Sequence, residues 1–126
     1  ETLASKNFTM ITEADLQDIH TGMIGAITKA GGRIDAIYYC TSTDDNDPNR
    51  KPHPGMFNQA QAEFDDIVPQ QSVIVGNNLS DMEFGRNTGM HTVFVKTTRP
   101  DQEIPHPAID LVFDSLPDFA KALRSA

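Results

Sequence analysis

The chain has 126 residues and an apolar content of 38%, which together suit one soluble α/β domain, or less, with a core of ordinary size. Its formal net charge of −8, with no basic cluster beyond Arg50 and Lys51, argues against nucleic acid or an anionic membrane as the main partner. The single cysteine, Cys40, excludes an internal disulfide framework and a cysteine-rich zinc site. The chain shows no signal-peptide pattern and no run of roughly 20 apolar residues, so we expect a cytoplasmic protein.

The first predicted element is a helix. Thr12 is its expected cap, acidic residues fill its first turn, and apolar residues recur at helical spacing until a Gly-Gly pair ends it. Residues 34–40 (IDAIYYC) are rich in β-branched and aromatic side chains, which predicts a short strand. Tyr38 and Tyr39 could contact a substrate, but packing is the favoured interpretation, and His20 is expected to be a partly buried structural residue.

A polar loop, residues 41–49, comes next. Its aspartates lack the glycine and the distal glutamate of a calcium-binding EF-hand, so we expect a solvated loop. Residues 50–56 (RKPHPGM) then place Arg50 and Lys51 before two prolines, which stiffen the backbone and fix where the following helix can begin. A fixed ammonium can neutralise a phosphoryl group, and a guanidinium can hold phosphate in a bidentate manner. Taken alone, this segment is better explained as a basic surface turn, and only the loop that begins at Gly76 favours the phosphate-binding interpretation.

The strongest pattern lies in residues 72–95 (SVIVGNNLSDMEFGRNTGMHTVFV). Two β-branched runs flank a polar loop and a short helical pattern, which predicts a strand–loop–helix–strand crossover with parallel strands. The loop, residues 76–81, follows the carboxyl end of the first strand, where open α/β sheets bind ligands. Its asparagine and aspartate side chains supply hard oxygen atoms that suit Mg²⁺. The same loop also suits an ordinary helix start capped by Ser80 or Asp81.

The last third of the chain continues the alternation of predicted strands and helices. A proline-rich connection, residues 96–107, leads to a strand pattern at residues 108–114 (AIDLVFD) and a terminal helix at residues 116–123. No internal repeat, low-complexity tract or inter-domain linker interrupts the sequence. Residues 1–126 are therefore predicted to form a single domain, or part of one.

The RKPHPGM and VGNNLSDMEFGRNTGM segments together resemble the haloacid dehalogenase (HAD) superfamily of phosphatases, and most of all its heptose-bisphosphate and histidinol phosphatase branch. That branch carries the phosphate-binding lysine in an RKPxPGM segment and the metal-binding acid in a VGDxxSDMxxGxxAGM segment. The resemblance covers about residues 12–97. It implies a three-layer Rossmann-like α/β fold with a parallel sheet. It also implies Mg²⁺-dependent hydrolysis of a small sugar phosphate such as D-glycero-D-manno-heptose 1,7-bisphosphate, or of histidinol phosphate.

The resemblance also assigns roles to single residues. Lys51 matches the catalytic lysine that stabilises the phosphoryl group, and Arg50, Lys51 and Asn78 match substrate-binding positions. Asn77 stands where the first metal-binding aspartate is usual, and Asp81 matches the second acid, which either reaches the metal or braces the loop. Because a neutral amide replaces a carboxylate at Asn77, we expect a weakened Mg²⁺ site. The branch's Cys/His zinc loop is matched only by Cys40, so zinc is not implied.

One part of the family's machinery is not found in this sequence. The mechanism uses an aspartate nucleophile and a second aspartate two residues later, at the end of an apolar strand. Neither that strand nor a later strand ending in TNQ occurs here. We therefore expect a partial domain that lacks the N-terminal strands, is inactive alone, and needs a companion segment or self-association to complete its sheet. The alternative is a non-catalytic module that binds a phosphorylated ligand or a protein on a HAD scaffold.

Overall fold

The computed structural model of the chain describes residues 12–40 and 44–125. By their internal contacts the residues fall into two compact units, Glu1–Thr41 and Ser42–Ala126. The described part of the first unit contains one helix, and that of the second contains a parallel sheet with three helices. Within those two ranges, no helix has both the length and the apolar character needed to cross a membrane.

Helix α1, Glu13–Lys29, begins and ends where the sequence predicts. The Thr12 hydroxyl accepts a hydrogen bond from the Asp15 amide at 3.1 Å, and the Asp15 carboxylate accepts one from the Thr12 amide at 3.1 Å. This reciprocal pair satisfies two backbone N–H groups at the helix start. Ala30 caps the other end, directly before the Gly-Gly pair. The predicted start and the predicted end of this helix are therefore confirmed.

The strand predicted at residues 34–40 is wrong, because this segment pairs with no strand in the described ranges. Ladder hydrogen bonds to a neighbour stabilise a strand, and β-branched content does not supply that neighbour. Tyr39 packs on α1 instead: its hydroxyl accepts a hydrogen bond from Gln17 at 3.0 Å and donates one to Glu13 at 3.2 Å. The half-buried His20 ring lies 5.6 Å from the Tyr39 ring, centroid to centroid, which supports the packing interpretation of both residues.

The second unit alternates helices and strands in the predicted order. Each predicted helix and strand after residue 50 is present, although the strand predicted at 108–114 is shorter than expected. The elements are α2 (Gly55–Glu63), a 3₁₀ turn (Pro69–Gln71), β1 (Val73–Gly76), α3 (Leu79–Thr88), β2 (His91–Val95), β3 (Leu111–Phe113) and α4 (Leu116–Ser125).

The three strands form one parallel sheet in the order β1-β2-β3. Val75 pairs with Val93 across the first pair of strands, and Val95 pairs with Phe113 across the second. Because α3 joins β1 to the neighbouring parallel β2, these elements form the predicted crossover unit. The α/β class and the parallel sheet are therefore confirmed.

Helix α3 packs directly on β1 and β2. Its close approach depends on Gly85, since a Cβ atom at this position would overlap the methyl groups of Thr92 and Ile74. A glycine therefore allows closer contact between the helix and the sheet than any other residue would. The buried hydrophobic cluster of this unit consists of Met82, Phe94 and Ala108.

The last turn of α3 is attached to the segment that precedes β3. Arg86 donates two hydrogen bonds to the Asp110 carboxylate, at 2.7 and 3.1 Å, and two to the Pro107 carbonyl, at 3.0 and 3.3 Å. The same carboxylate accepts a hydrogen bond from the Thr92 amide at 2.8 Å. The hydrogen bonds from Arg86 first, and from Thr92 second, hold the pKa of the Asp110 carboxyl well below its usual range. We call this arrangement the Arg86–Asp110 clamp.

All three strands point toward one edge of the sheet, the carboxyl edge. β1 ends at Gly76 and β2 ends at Val95, on adjacent strands. The loops that follow them, residues 77–78 and 96–98, therefore leave the sheet side by side. Open α/β sheets bind their ligands at this edge.

Candidate active site

A cleft of about 420 Å³ lies at the carboxyl edge of the sheet. Its size falls in the range of roughly 300–1,000 Å³ that is usual for small-molecule sites. The polar groups come from three places in the second unit: the turn before α2, the loop after β1 with the start of α3, and the loop after β2. The lining residues are Lys51, Val75, Gly76, Asn77, Asp81, Val95, Thr97 and Leu116.

Lys51 reaches the cleft from a turn that is fixed at two points. The Gly55 amide donates a hydrogen bond to the Pro48 carbonyl at 2.8 Å, which closes the turn at the start of α2. Asn87 of α3 donates a hydrogen bond from Nδ2 to the Pro52 carbonyl at 2.8 Å. The proline-stiffened turn is therefore attached to α3, and Lys51 leaves it in a defined direction.

The Lys51 ammonium donates a hydrogen bond to the Asp81 carboxylate and forms an ion pair with it. Asp81 is only 6% exposed, whereas the Lys51 side chain is 40% exposed. A carboxylate this deeply buried needs compensating charge, which the ammonium and the positive end of the α3 dipole supply. Both roles that the resemblance allows for Asp81, reaching the metal and bracing the loop, stay predictions.

Gly76 gives the Asp81 carboxylate its place at the end of β1. A Cβ atom at Gly76 would overlap the Cβ, Cγ and Oδ2 atoms of Asp81. The missing side chain lets α3 begin directly over the strand end. Asp81 is therefore held beside both the strand and Lys51.

Asn77 lines the same cleft from the loop after β1. Its Nδ2 donates a hydrogen bond to the Thr98 hydroxyl at 3.0 Å, which joins the loop after β1 to the loop after β2. The Oδ1 atom of Asn77 accepts no hydrogen bond from the described residues. Asn77 is an exposed residue, and its Oδ1 atom can accept a further hydrogen bond.

Two of the predicted substrate residues, Arg50 and Asn78, are not part of the cleft lining. Asn78 caps α3, and its Oδ1 accepts a hydrogen bond from the Ser80 amide at 3.5 Å. The alternative of a helix start capped by Ser80 or Asp81 is therefore wrong as to the capping residue. The backbone is extended at Asn78, directly before the first helical residue Leu79, and this decides the position of the cap. Arg50 donates from Nε to the Asp45 carboxylate at 3.1 Å. The substrate-binding roles of Arg50 and Asn78 stay predictions.

The cleft offers two oxygen donors that could hold Mg²⁺, the Asn77 amide and the Asp81 carboxylate. Both are hard ligands of the kind that Mg²⁺ prefers, and Mg²⁺ commonly completes its shell with water and phosphate oxygens. Only one of the two is charged, and Lys51 already neutralises it. Across residues 12–40 and 44–125, no group of three or more His, Cys, Asp or Glu side chains could hold a metal ion. The donors match Mg²⁺ in kind, but one neutral amide and one carboxylate already paired with an ammonium do not by themselves form a metal site.

Sequence reasoning missed four contributors to this site: Val95, Thr97, Thr98 and Leu116. Thr97 and Thr98 follow the carboxyl end of β2, and their position beside the loop after β1 follows from the parallel order of the two strands. That rule could have identified both threonines before the structure. Leu116 starts α4, and nothing in the sequence around it indicates a site.

One protein family and several known proteins match the sequence of this chain. A family model described as HAD-hydrolase-like matches residues 48–119, which is more than half of the chain. A D-glycero-beta-D-manno-heptose-1,7-bisphosphate 7-phosphatase of Neisseria meningitidis serogroup A is 30% identical over 116 residues, which cover 87% of this chain and 62% of that enzyme. The Yersinia pestis protein of the same name is 31% identical over 125 residues, with coverages of 92% and 66%. The chain thus spans less than two thirds of the length of these relatives.

Solved structures give the same picture. A D,D-heptose 1,7-bisphosphate phosphatase from B. bronchiseptica, crystallised with magnesium and phosphate, is similar with a TM-score of 0.75 and 28% identity, over 90% of this chain and 65% of that one. A putative HAD-like phosphatase from Mesorhizobium loti has a TM-score of 0.67 over 91% of this chain and 57% of its own. At 19% identity, the second likeness concerns the fold alone.

Proposed function

Because the chain belongs to the HAD-hydrolase-like family, we propose that its cleft is the phosphate-binding part of a Mg²⁺-dependent phosphomonoester hydrolase. The observation that carries the proposal is that the Lys51 ammonium and the Asn77 and Asp81 side chains line one cleft at the carboxyl edge of the sheet. These groups come from segments far apart in sequence, and the fold brings together a cation for phosphate and oxygen donors for a metal.

Three residues that line the cleft have roles in this proposal, as do Arg50 and Asn78 outside its lining. The Lys51 ammonium binds a phosphoryl oxygen and neutralises its charge, while Asp81 holds the ammonium at the cleft floor. Asn77 and Asp81 would hold Mg²⁺, which would supply further positive charge next to the phosphoryl group. Arg50 and Asn78 contact the remainder of the substrate. We propose that the reaction takes place in the cytoplasm.

We propose a heptose bisphosphate as the substrate. The relatives from Neisseria and Yersinia and the solved structure from B. bronchiseptica carry that substrate in their names. Histidinol phosphate, a second small phosphomonoester, rests only on the motif resemblance. Both share the phosphate group that Lys51 would bind.

The aspartate nucleophile is proposed to come from a companion segment. No strand in the described ranges is followed by an Asp-x-Asp pair. The companion, or a second copy of the chain, would pair with the sheet and complete both the sheet and the active site. The 126-residue chain by itself is therefore proposed to be inactive.

A second function has its own supporting observation. Among the described residues that line the cleft, Asp81 is the only carboxylate, and it is already paired with Lys51. Asn77, the other candidate metal ligand, is a neutral amide. This arrangement suits a non-catalytic module that binds a phosphorylated ligand without turnover. Both functions use the same phosphate site. They differ in whether the addition of a segment that carries an Asp-x-Asp pair produces phosphate release.

The test of the phosphate site is a titration of the full chain with inorganic phosphate by calorimetry. Lys51→Met should weaken phosphate binding by about tenfold or more, because the variant loses the ammonium and leaves the Asp81 carboxylate to repel the anion. Lys121→Met, at an exposed position of α4, removes the same charge far along the chain and should bind phosphate as the wild type does. Equal losses in both variants would contradict the site.

A mixing experiment separates the two candidate functions. Mixing the chain with a segment that carries the Asp-x-Asp strand should give Mg²⁺-dependent phosphate release from heptose bisphosphate. Binding of the ester without release would favour the non-catalytic module.

The Asn77→Asp variant tests the metal site. It should raise the Mg²⁺ affinity by about tenfold or more, because it places a full charge beside the cation. Equal affinities of wild type and variant would remove Asn77 from the metal site.

A further inference from the structure

The turn that carries Lys51 is closed by hydrogen bonds of its own backbone. The Gly55 amide donates to the Pro48 carbonyl at 2.8 Å, and the His53 amide donates to the Arg50 carbonyl at 3.0 Å. Lys51 lies inside the loop that these two bonds close. They fix the shape of the turn, but they do not fix its position on the rest of the second unit.

Asn87 sets the position of this turn relative to α3. Its Nδ2 donates to the Pro52 carbonyl at 2.8 Å, and Pro52 directly follows Lys51, so the bond holds the backbone at the root of the lysine side chain. The ammonium at the tip donates to the Asp81 carboxylate. Asp81 and Asn87 belong to the same helix and lie about 9 Å apart along its axis. One helix therefore holds the lysine side chain at both its root and its tip.

Helix stability does not explain an asparagine at position 87. Asn87 is an exposed residue in the last turn of α3, where packing makes no demand on its shape. Asparagine is a poorer helix former than alanine, because its side chain competes for the hydrogen bonds of the backbone. Here the Asn87 amide bonds to the Pro52 carbonyl, outside its own helix. This contact is therefore the one through which Asn87 acts.

The position of the turn affects how the Lys51 ammonium can meet an anion. An ammonium has three N–H donors. Asp81 accepts from one of them, and the side chain of Lys51 is 40% exposed, so the others can reach a ligand of the cleft. The directions of these donors depend on the path of a long, flexible side chain. Fixing the root of that side chain removes alternative paths, which lowers the entropic cost of binding an anion.

We propose that Asn87 is a positioning residue, which holds the Lys51 turn on α3 so that the ammonium meets a phosphate group in one orientation. Asn87 is outside the cleft lining and acts through Lys51. The proposal rests on the proposed phosphate site, adds a residue to it and involves no metal. Hydrogen bonds that lock a binding residue in this way determine how precisely a site is formed.

The test compares Asn87→Ala with Asn58→Ala in the full 126-residue chain. Each variant replaces an exposed helical asparagine, and the Asn58 side chain on α2 makes no hydrogen bond within the described ranges. By calorimetric titration with inorganic phosphate, Asn87→Ala should bind about three- to tenfold more weakly than wild type, since it loses one hydrogen bond. Asn58→Ala should bind phosphate as the wild type does.

A second readout follows the turn directly and needs no ligand. Because the Gly55 amide closes the turn, its hydrogen exchange with water, measured by NMR, should be faster in Asn87→Ala than in wild type, and no faster in Asn58→Ala. The His91 amide, which donates to the Ser72 carbonyl at 3.0 Å, reports on the sheet and should exchange equally in all three proteins. Faster exchange at both amides would show general destabilisation and overturn the positioning role. Unchanged exchange at Gly55 would also overturn it.

The phosphate titrations separate this proposal from the one on which it rests. If Lys51→Met loses phosphate affinity while Asn87→Ala binds as tightly as wild type, the positioning role is overturned and the phosphate site stands. If Lys51→Met leaves the phosphate affinity intact, the proposed function fails, and the positioning role of Asn87 fails with it.

Discussion

At the scale of single residues, two ion pairs of the second unit hold opposite ends of α3. Lys51 and Asp81 meet at its first turn, and Arg86 and Asp110 meet near its last turn. In the first pair the Asp81 carboxylate is buried, and the Lys51 ammonium compensates its charge inside the protein. In the Arg86–Asp110 clamp both side chains are 38% exposed, so solvent screens their attraction.

The clamp predicts a pH dependence of stability. The folded-state pKa of Asp110 is lowered, first by hydrogen bonds from Arg86, relative to an unfolded value of about 3.9. Its contribution to the free energy of unfolding is therefore fully present above about pH 5 and is lost as the pH falls through the folded-state pKa. Asp110→Asn should lower stability near neutral pH by about 1 kcal/mol or less, because screening limits an exposed pair. The variant should also lose stability less steeply below pH 5.

Denaturant unfolding of wild type and variant at a series of pH values measures this slope. Asp101→Asn, at an exposed position in the loop before β3, is the matched control and should follow the wild-type curve. Parallel curves for wild type and Asp110→Asn would show that the clamp does not contribute through its charge.

The sequence identified some site residues and missed others for a physical reason. Lys51, Asn77 and Asp81 lie in segments whose local chemistry already indicates phosphate and metal, and the structure places all three in one cleft. Their roles stay predictions. Thr98 carries no local signal, because only the parallel order of β1 and β2 brings it to Asn77. Asn78 was assigned to substrate, but the helix start uses its side chain as a cap.

At the scale of elements, the contact of α3 with the sheet fixes the position of the cleft. Gly85 lies against Thr92 of β2 and Ile74 of β1 without a side chain between them. Asp81 lies one turn earlier on the same helix, so the depth of the helix on the sheet also sets the depth of the Lys51 ion pair.

Gly85→Ala should therefore destabilise the second unit. Alanine is favoured over glycine inside a helix by about 0.5–1 kcal/mol, but overpacking a close contact costs about 1–3 kcal/mol, so a net loss of about 1–2 kcal/mol is expected. Gly25→Ala in α1 is the control: a Cβ atom there meets nothing within 4 Å, and the variant should be neutral or slightly more stable. Denaturant midpoints measure both effects, and a Gly85→Ala protein as stable as Gly25→Ala would contradict the packing argument.

Elements were predictable wherever a local pattern and a tertiary partner agreed. The crossover from β1 to β2 has both, so its order and parallel sense were predicted correctly. Residues 34–40 have the composition of a strand but no strand to pair with in the described ranges, and composition alone was therefore misleading. The motif-based resemblance to HAD phosphatases is confirmed, because paired segments at fixed spacing are far more specific than strand propensity.

At the scale of the whole molecule, the sheet of the second unit has two outer strands. In the described ranges β1 and β3 each pair with β2 alone, so each has one row of backbone N–H and C=O groups without a strand partner. Val73 on β1 is 50% exposed, and Leu111 on β3 is 55% exposed. Edges of this kind favour pairing with another strand. This is the physical basis for the proposed companion segment or self-association.

Self-association through β1 can be tested by sedimentation at increasing protein concentration. Val73→Lys should reduce association, because a charged side chain on an edge strand opposes pairing. Leu123→Lys on α4 is the matched control: Leu123 is 60% exposed and belongs to a helix instead of an edge strand, so this variant should associate as the wild type does. Equal reductions in both variants would point to general loss of apolar surface, and a monomeric wild type would leave the companion segment as the remaining partner.

The attachment of the lysine turn to α3 has a consequence for protein engineering. Asp81 binds the Lys51 ammonium at the start of the helix, and Asn87 binds the Pro52 carbonyl near its end. The seven-residue segment RKPHPGM therefore depends on a second segment, the ten-residue helix α3, to fix its conformation. Grafting the segment onto a foreign scaffold without that helix would transfer the positive charge of Lys51 but not the contacts that fix its direction.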